Sequence, residues 1–299
     1  MNMRIGFMGF GEAAPAIAEG LSEQGVIGMH AFDIAHASDP ERFSPRTARS
    51  GTSMTDSPEA LAEECDFIFS LVTCTEAVPA ARSVADHLAP RHIYVDMNSA
   101  SPAVKREVGS LVERNGARFV EAALMSVVPP NRHKVPALLC GAAAGELKKA
   151  LDPLGMNLEV LGDEIGAASA TKMFRSIVVK GVQGLFIECV LAARHFGVEK
   201  RVLDSVTASF PGIDWNEFAD YFISRSALHA ARQSHEMEEV SRTLETLGET
   251  PVMARATAER LRMFGELGLK ELYGDTEPLS YAEIVRFLEK PGENYGSQS

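Results

Sequence analysis

The sequence predicts an α/β domain with a parallel sheet, followed by an all-α domain, and three observations predict it. Short apolar strand candidates alternate with helical stretches up to about residue 164; a glycine-rich turn joins the first strand to the first helix; and after about residue 165 strand signals vanish in favour of long helical patterns. The boundaries are therefore 1–164 for the first domain and 165–299 for the second. At 299 residues, 45 % hydrophobic and 23 % charged, the chain is long enough to bury two cores.

The strand candidates are Arg4–Met8, Ile27–Phe32, Asp66–Val72, Ile93–Asp96, Arg118–Glu121, Pro136–Cys140 and Leu158–Leu161. Ligands on such sheets lie at the carboxyl ends of the strands, so the loops that follow carry the chemistry. These loops contain Gly9 to Ala13, Asp33, Val72-Thr73-Cys74-Thr75, Asn98-Ser99-Ala100-Ser101 and Leu124 to Asn131.

The first of these loops is the most informative. The strand Ile5–Met8 runs straight into Gly9-Phe10-Gly11-Glu12-Ala13-Ala14, a G-x-G-x-x-A turn that opens a helix. Gly9 permits the tight turn, Gly11 lets backbone approach a pyrophosphate, and Ala14 is small enough for close packing of helix on strand. Phosphates then meet the free N–H groups and positive end of the helix, as in a Rossmann-type dinucleotide-binding domain. Pro15 is tolerated because a first helical turn can spare an N–H. Twenty-two residues after Gly11, at the end of the second strand, stands Asp33, where a carboxylate can take the two ribose hydroxyls of an adenosine. An acid there favours NAD over NADP, whose 2′-phosphate it repels. Arg42 and Arg46 lie close enough in sequence to build a phosphate site, so NADP stays open. The cofactor-binding set is Gly9, Phe10, Gly11, Glu12, Ala13, Asp33, Val72, Thr73 and Asn98.

The formal net charge of −12 argues against nucleic acid and anionic membrane surfaces as partners, while small anions can still bind locally. No signal-type segment and no apolar run of membrane-span length is read from the sequence, and a cytoplasmic location is expected. Cys65, Cys74, Cys140 and Cys189 are scattered without the pairing a zinc or redox site needs, and the eight histidines do not cluster with them. Only Pro291–Ser299 has a composition that suggests disorder.

The helical half is expected as Ala167–Phe196, Lys200–Phe210, Trp215–Ala230, Ala231–Leu247, Pro251–Gly265 and Tyr281–Leu288. The first of these is about 45 Å long at the usual rise, a length that commonly bridges domains or subunits, and a homodimer sharing helices is expected. Its start reads Gly166-Ala167-Ala168-Ser169-Ala170-Thr171-Lys172, with small residues that allow close approach to the first domain. Helical spacing stacks Lys172, Ser176 and Lys180 roughly on one face. Composition alone leaves two readings: solvated lysines on a packing helix, or an amine carried into the crevice beside the cofactor domain.

Together these motifs resemble the β-hydroxyacid dehydrogenase family, relatives of 6-phosphogluconate dehydrogenase. Ile5 to Gly11 (I-G-F-M-G-F-G) is similar to its cofactor fingerprint, Val95-Asp96-Met97-Asn98-Ser99-Ala100-Ser101-Pro102 resembles its D-x-S-T-x-x-P stretch, and Lys172 falls on its catalytic lysine. The departures are specific. Where the family carries D-A-P-V-S-G-G, this chain has Glu121-Ala122-Ala123-Leu124-Met125-Ser126-Val127-Val128-Pro129, without either glycine. The family's Asn four residues after the lysine is Ser176, and its K-D-L segment corresponds to His235-Glu236-Met237.

The resemblance implies an NAD(P)-dependent oxidoreductase acting on a CH–OH group of a small hydroxyacid-like, anionic substrate. Lys172 is the implied general acid/base with Ser176 beside it, and Ser99, Ser126, Lys180, Arg232 and His235 are the candidate substrate ligands. The residues of His235 and Arg232 also fit a plain surface position. Two alternatives stand: an imine reductase of the same architecture, against which Lys172 tells, and a non-catalytic nucleotide-sensing protein, which the altered stretch around Ser126 would suit.

Overall fold

The computed structural model describes residues 3–274 and 276–289, and Pro291–Ser299 lies outside the described residues. By internal contacts the chain divides into two compact units, residues 1–172 and 173–299. The first unit contains eight strands: β1 (Ile5–Met8), β2 (Met29–Phe32), β3 (Thr52–Met54), β4 (Phe67–Ser70), β5 (Ile93–Asp96), β6 (Arg118–Leu124), β7 (Ala137–Cys140) and β8 (Leu158–Gly162). They form one sheet in the order β3-β2-β1-β4-β5-β6-β7-β8. Every pairing is parallel except β6 with β7, which run antiparallel with Glu121 opposite Cys140.

Helices α1 (Ala13–Glu23), α2 (Pro40–Ser50), α3 (Pro58–Glu64), α4 (Ala77–Ala85), α5 (Pro102–Val112), α6 (Val128–Asn131) and α7 (Ala144–Leu151) cover the sheet, and α8 (Ala167–Ala193) begins here. Alternate strand residues feed two cores, one per face. Phe7, Phe69, Val95 and Val120 pack with Ile17 and Leu21 of α1 and Leu147 of α7. On the opposite face Ile68, Tyr94 and Phe119 pack with Leu61 of α3, Val84 of α4 and Val108 of α5. Strands buried on both faces are what an unbroken apolar run such as Ile5–Met8 specifies. Three helices open with the same device, a side-chain cap followed by proline: Asp39-Pro40, Ser57-Pro58 and Ser101-Pro102.

The short edge strand β3 was not foreseen, because Thr52–Met54 is only three residues long and lacks a bulky apolar run. At the centre, Gly6 is enforced by packing: a Cβ there would come within 2.6 Å of Cys65 Sγ and 2.9 Å of Leu61 Cδ1, so the loss of a side chain lets α3 press onto β1.

The second unit consists of helices alone among the described residues. After α8 come α9 (Glu199–Ser209), α10 (Trp215–Thr246), α11 (Val252–Gly265), α12 (Leu269–Tyr273) and α13 (Tyr281–Glu289). Phe186, Ile187 and Val190 of α8 join Phe222, Ile223, Met237, Leu261 and Phe264 in its core. Two expectations are corrected. Trp215–Ala230 and Ala231–Leu247 form one continuous helix: no breaker separates them, and the buried face runs through the junction from Ala227, Leu228 and Ala230 to Gln233, Ser234 and Met237. And Ala167–Phe196 is long and apolar enough to cross a membrane by length and composition, with a mean hydropathy of 1.7, although 44 % of its most apolar window is buried inside the protein.

His92, fully buried beside β5, gives the first unit a pH dependence. Its Nδ1 accepts the Ala89 N–H at 2.7 Å and its Nε2 donates to the Ala62 carbonyl at 2.9 Å, which requires the neutral ring. Burial holds its pKa below the ordinary histidine value. The unfolded chain therefore binds this proton more readily than the native one, so the stabilisation is complete above about pH 6.5 and is lost as pH falls toward the native pKa. The expected result is a melting temperature that declines from pH 7.5 to pH 5.5. The contribution of one histidine is at most about 1.4 kcal/mol per pH unit, and H92Q should flatten the decline; an unchanged slope in H92Q would assign it elsewhere.

Candidate active site

The turn between β1 and α1 is built from the residues its sequence marks out. Gly9 sits at φ +88°, a left-handed conformation, and a Cβ there would meet Val72 Cγ1 at 2.6 Å and the Leu71 carbonyl oxygen at 2.7 Å. A Cβ at Gly11 would meet nothing within 4 Å, so the turn faces open space there. No side chain caps α1, which leaves the N–H groups of its first turn for an anion. From Gly11 and Glu12 an open cavity of about 450 Å³ extends along α1, bordered by Arg46, Arg49 and Arg132. Arg49 and Arg132 are paired with Glu19 and Glu23, at 2.7 and 2.8 Å. A pyrophosphate on the helix end is the group this donor set fits.

Asp33, at the end of β2, is tied into the same turn. Its Oδ2 accepts the Phe10 N–H at 2.8 Å and its Oδ1 the Ala35 N–H at 2.9 Å. A carboxylate offers about four acceptor sites, so two lone pairs are left for a ribose diol. Arg46 donates to the Phe10 carbonyl at 3.1 Å and lies over the Phe43 ring with Arg42, so acid and guanidinium are fixed through the two ends of one peptide residue.

Across the sheet, the loops after β4 and β5 are locked together. Asn98, buried, accepts the Val72 N–H on Oδ1 at 2.6 Å and donates from Nδ2 to Ser70 Oγ at 2.9 Å, so its side chain is committed to protein partners. Thr73 is exposed on the loop that Asn98 holds, with its hydroxyl 3.2 Å from that of Thr75. The Asn98 N–H goes to Asp96 Oδ1 at 2.9 Å, and Asp96 is in turn neutralised by Lys105 of α5, whose Nζ is 2.9 Å from both that oxygen and the Asp96 carbonyl. Asp96 and Lys105 are both buried.

This frame presents Ser99, exposed at the carboxyl edge of β5, to the first turns of α8. Lys172 Nζ donates to Ser99 Oγ at 2.9 Å. The start of α8 is held on two sides. Glu121, buried on β6, accepts the Gly166 N–H at 2.5 Å and the Ser169 N–H at 2.6 Å. Gly166, at φ +107°, lies so close to α5 that a Cβ would come within 3.0 Å of Pro102 Cβ.

The remaining candidates are carried by other segments. Ser126 is exposed after β6, accepting from Asn131 Nδ2 at 3.3 Å, in a stretch that lacks both of the family's glycines. Ser176, Lys180, Arg232 and His235 belong to the second unit. There Lys180 and Arg232 both pair with Glu236. Burial pushes the Glu236 carboxyl up, but the two cations outweigh it and hold its pKa below the usual value. His235 is exposed and lies 3.3 Å from Glu238. The residues that sequence reading passed over are Lys105 and the carboxylate of Glu121. A signal for Lys105 existed: it falls on the buried face of α5 with Pro102, Val108 and Val112, where a lysine needs a partner.

Comparison with known proteins bears on the family and the fold. Residues 4–100 match a family described as NADP oxidoreductase coenzyme F420-dependent, and residues 193–264 match a domain of unknown function, DUF1932. The chain is 35 % identical to a conserved hypothetical protein of Sinorhizobium meliloti 1021, with 96 % of each chain covered and a TM-score of 0.81. It is 34 % identical to a conserved protein of unknown function reported to be structurally similar to 3-hydroxyacid dehydrogenases, covering 88 % of this chain and 99 % of that one at a TM-score of 0.73. Its fold also matches the 3-hydroxyisobutyrate dehydrogenase of Mycobacterium tuberculosis, at 17 % identity over 97 % of this chain and 100 % of that one, TM-score 0.73. With its Rossmann-type unit, its glycine turn and its DUF1932 helical region, the chain belongs to the β-hydroxyacid dehydrogenase/6-phosphogluconate dehydrogenase-like superfamily of NAD(P)-dependent oxidoreductases, in a divergent branch of it.

Proposed function

We propose that the protein is a dehydrogenase that oxidises the hydroxyl of a short 3-hydroxyacid, with NAD as its preferred cofactor and Lys172 as general acid/base. The observation that carries this reading is the 2.9 Å contact of Lys172 Nζ with Ser99 Oγ at the carboxyl edge of the sheet whose first turn is Gly9–Ala13. A substrate hydroxyl that takes the place of Ser99 as partner of the amine gives up its proton to Lys172 in the oxidative direction and regains it in the reductive one. Such proton transfer typically contributes about 10²–10⁴ in rate. Bound NAD(P) supplies the hydride acceptor. The turn residues Gly9, Phe10, Gly11, Glu12 and Ala13 would hold its pyrophosphate, Asp33 its adenosine ribose, and the loop of Val72 and Thr73, pinned by Asn98, the neighbouring wall.

Ser99, Ser126 and Ser176 are assigned to the oxygens of the substrate, and Lys180, Arg232 and His235 to its negative charge. Lys180 and Arg232 share Glu236, so either reaches an anion only by exchanging that partner. The reading includes a homodimer in the cytoplasm. It is tested by following nicotinamide reduction across a panel of short 3-hydroxyacids with NAD and with NADP. Turnover of a hydroxyacid supports it; tight dinucleotide binding without turnover, or reduction of cyclic imines instead, overturns it.

Asp33→Ala should weaken NAD binding about 10- to 100-fold, the worth of hydrogen bonds to a charged group, while NADP affinity falls less because a repulsive charge is removed with it. Parallel titrations of both cofactors into wild type and variant check this. Equal losses for the two would leave Asp33 as a clamp on Phe10 and Ala35 only.

A further inference from the structure

We infer that Glu121 is a positioning residue for Lys172: its buried carboxylate clamps the first turn of α8 and so sets where the lysine amine stands against Ser99. The inference rests on the role proposed above for Lys172. Glu121 lies at the register position opposite Asp96 on the neighbouring strand, and both are fully buried. Asp96 takes the charge of Lys105, whereas both oxygens of Glu121 are given to backbone N–H groups of one helix start, Gly166 at 2.5 Å and Ser169 at 2.6 Å. Bonds from N–H groups to a carboxylate are the strong class, and a negative charge is favoured at the positive end of a helix.

The geometry explains why the clamp acts on Lys172 in particular. Ser169 is one helical turn before Lys172, so a displacement of the Ser169 backbone passes to the lysine Cα almost unchanged. On the other side Gly166 abuts Pro102, three residues after Ser99, and the Ser99 loop is itself fixed by Asp96 through Asn98. Two adjacent strands thus set the two halves of the Lys172–Ser99 pair: β5 holds the hydroxyl through Asp96, and β6 holds the amine through Glu121. An unclamped helix end that shifts by an ångström takes the amine out of hydrogen-bond reach.

The test is a double-variant cycle of E121Q with K172M, read as kcat on the best hydroxyacid of the panel, dinucleotide Kd and melting temperature. Glutamine keeps the shape but turns an NH₂ toward one of the two N–H groups. E121Q should lower kcat on the order of 10- to 100-fold, the cost of small misplacement of a reacting group, with dinucleotide Kd unchanged within about twofold. In the K172M background E121Q should cost no further turnover, since there is no amine left to place. E121D, which keeps the charge but retracts it from both N–H groups, should also lose turnover with a smaller loss in melting temperature. The inference is overturned if E121Q or E121D folds and turns over like wild type, or if E121Q lowers the residual rate of K172M as much as it lowers that of the intact chain. A fully active K172M would instead remove the role of Lys172 and leave Glu121 as a helix cap.

Discussion

K172M should turn over its substrate about 10²–10⁴-fold more slowly than the wild type while binding dinucleotide almost as well. Methionine keeps most of the volume and the unbranched shape of lysine, so the loss reads out the amine rather than a cavity. The elements expected to hold the cofactor, the Gly9–Ala13 turn and Asp33, are fixed by their own bonds, Asp33 accepting the N–H groups of Phe10 and Ala35. The change should therefore appear in kcat, with cofactor Kd unmoved. Arginine at 172 is the sharper companion: it restores the positive charge but cannot release a proton near neutral pH, so a group needed only for its charge is rescued by it and a proton-transfer group is not. Steady-state rates with fluorescence titration of the reduced cofactor separate these outcomes. K172R with near wild-type turnover would limit the residue to substrate binding.

How far this site could be read from the chain depends on the range over which each feature is encoded. The glycine turn and Asp33 were legible because their spacing is fixed by a single strand–turn–helix–strand unit. Lys172 was legible through the resemblance. Its contact with Ser99 spans 73 residues and depends on how α8 docks on the sheet. No local pattern encodes that distance. Asn98 illustrates the converse: its position in the loop after β5 marks it for the cofactor, yet its side chain is spent on Val72 and Ser70. Glu121 is of the same kind. It stands at the end of the strand expected from the sequence and in the middle of the observed β6, and only the return of the chain 45 residues later brings Gly166 to it.

K105M should cost about 3–5 kcal/mol of stability, the usual result of breaking a buried ion pair from one side. Lys105 and Asp96 are each at most 1 % exposed as side chains, so no solvent replaces the lost partner. Asp96 would keep the Asn98 N–H on Oδ1, but its Oδ2 is already buried without a hydrogen-bond partner, and the ammonium is the only cation within salt-bridge distance of the carboxylate among the described residues. Methionine fills the space of the lysine stem without offering a charge, so the penalty belongs to the stranded anion and not to a void. Removing that anion as well should return part of the loss: D96N/K105M has no buried charge to desolvate, and asparagine can still accept the Asn98 N–H. The pair is thus expected to be strongly coupled in a double-variant cycle by thermal or denaturant unfolding, with each single variant worse than the double. If K105M unfolds within about 1 kcal/mol of wild type, the range of an ordinary surface pair, the lysine is not what holds Asp96 in the core.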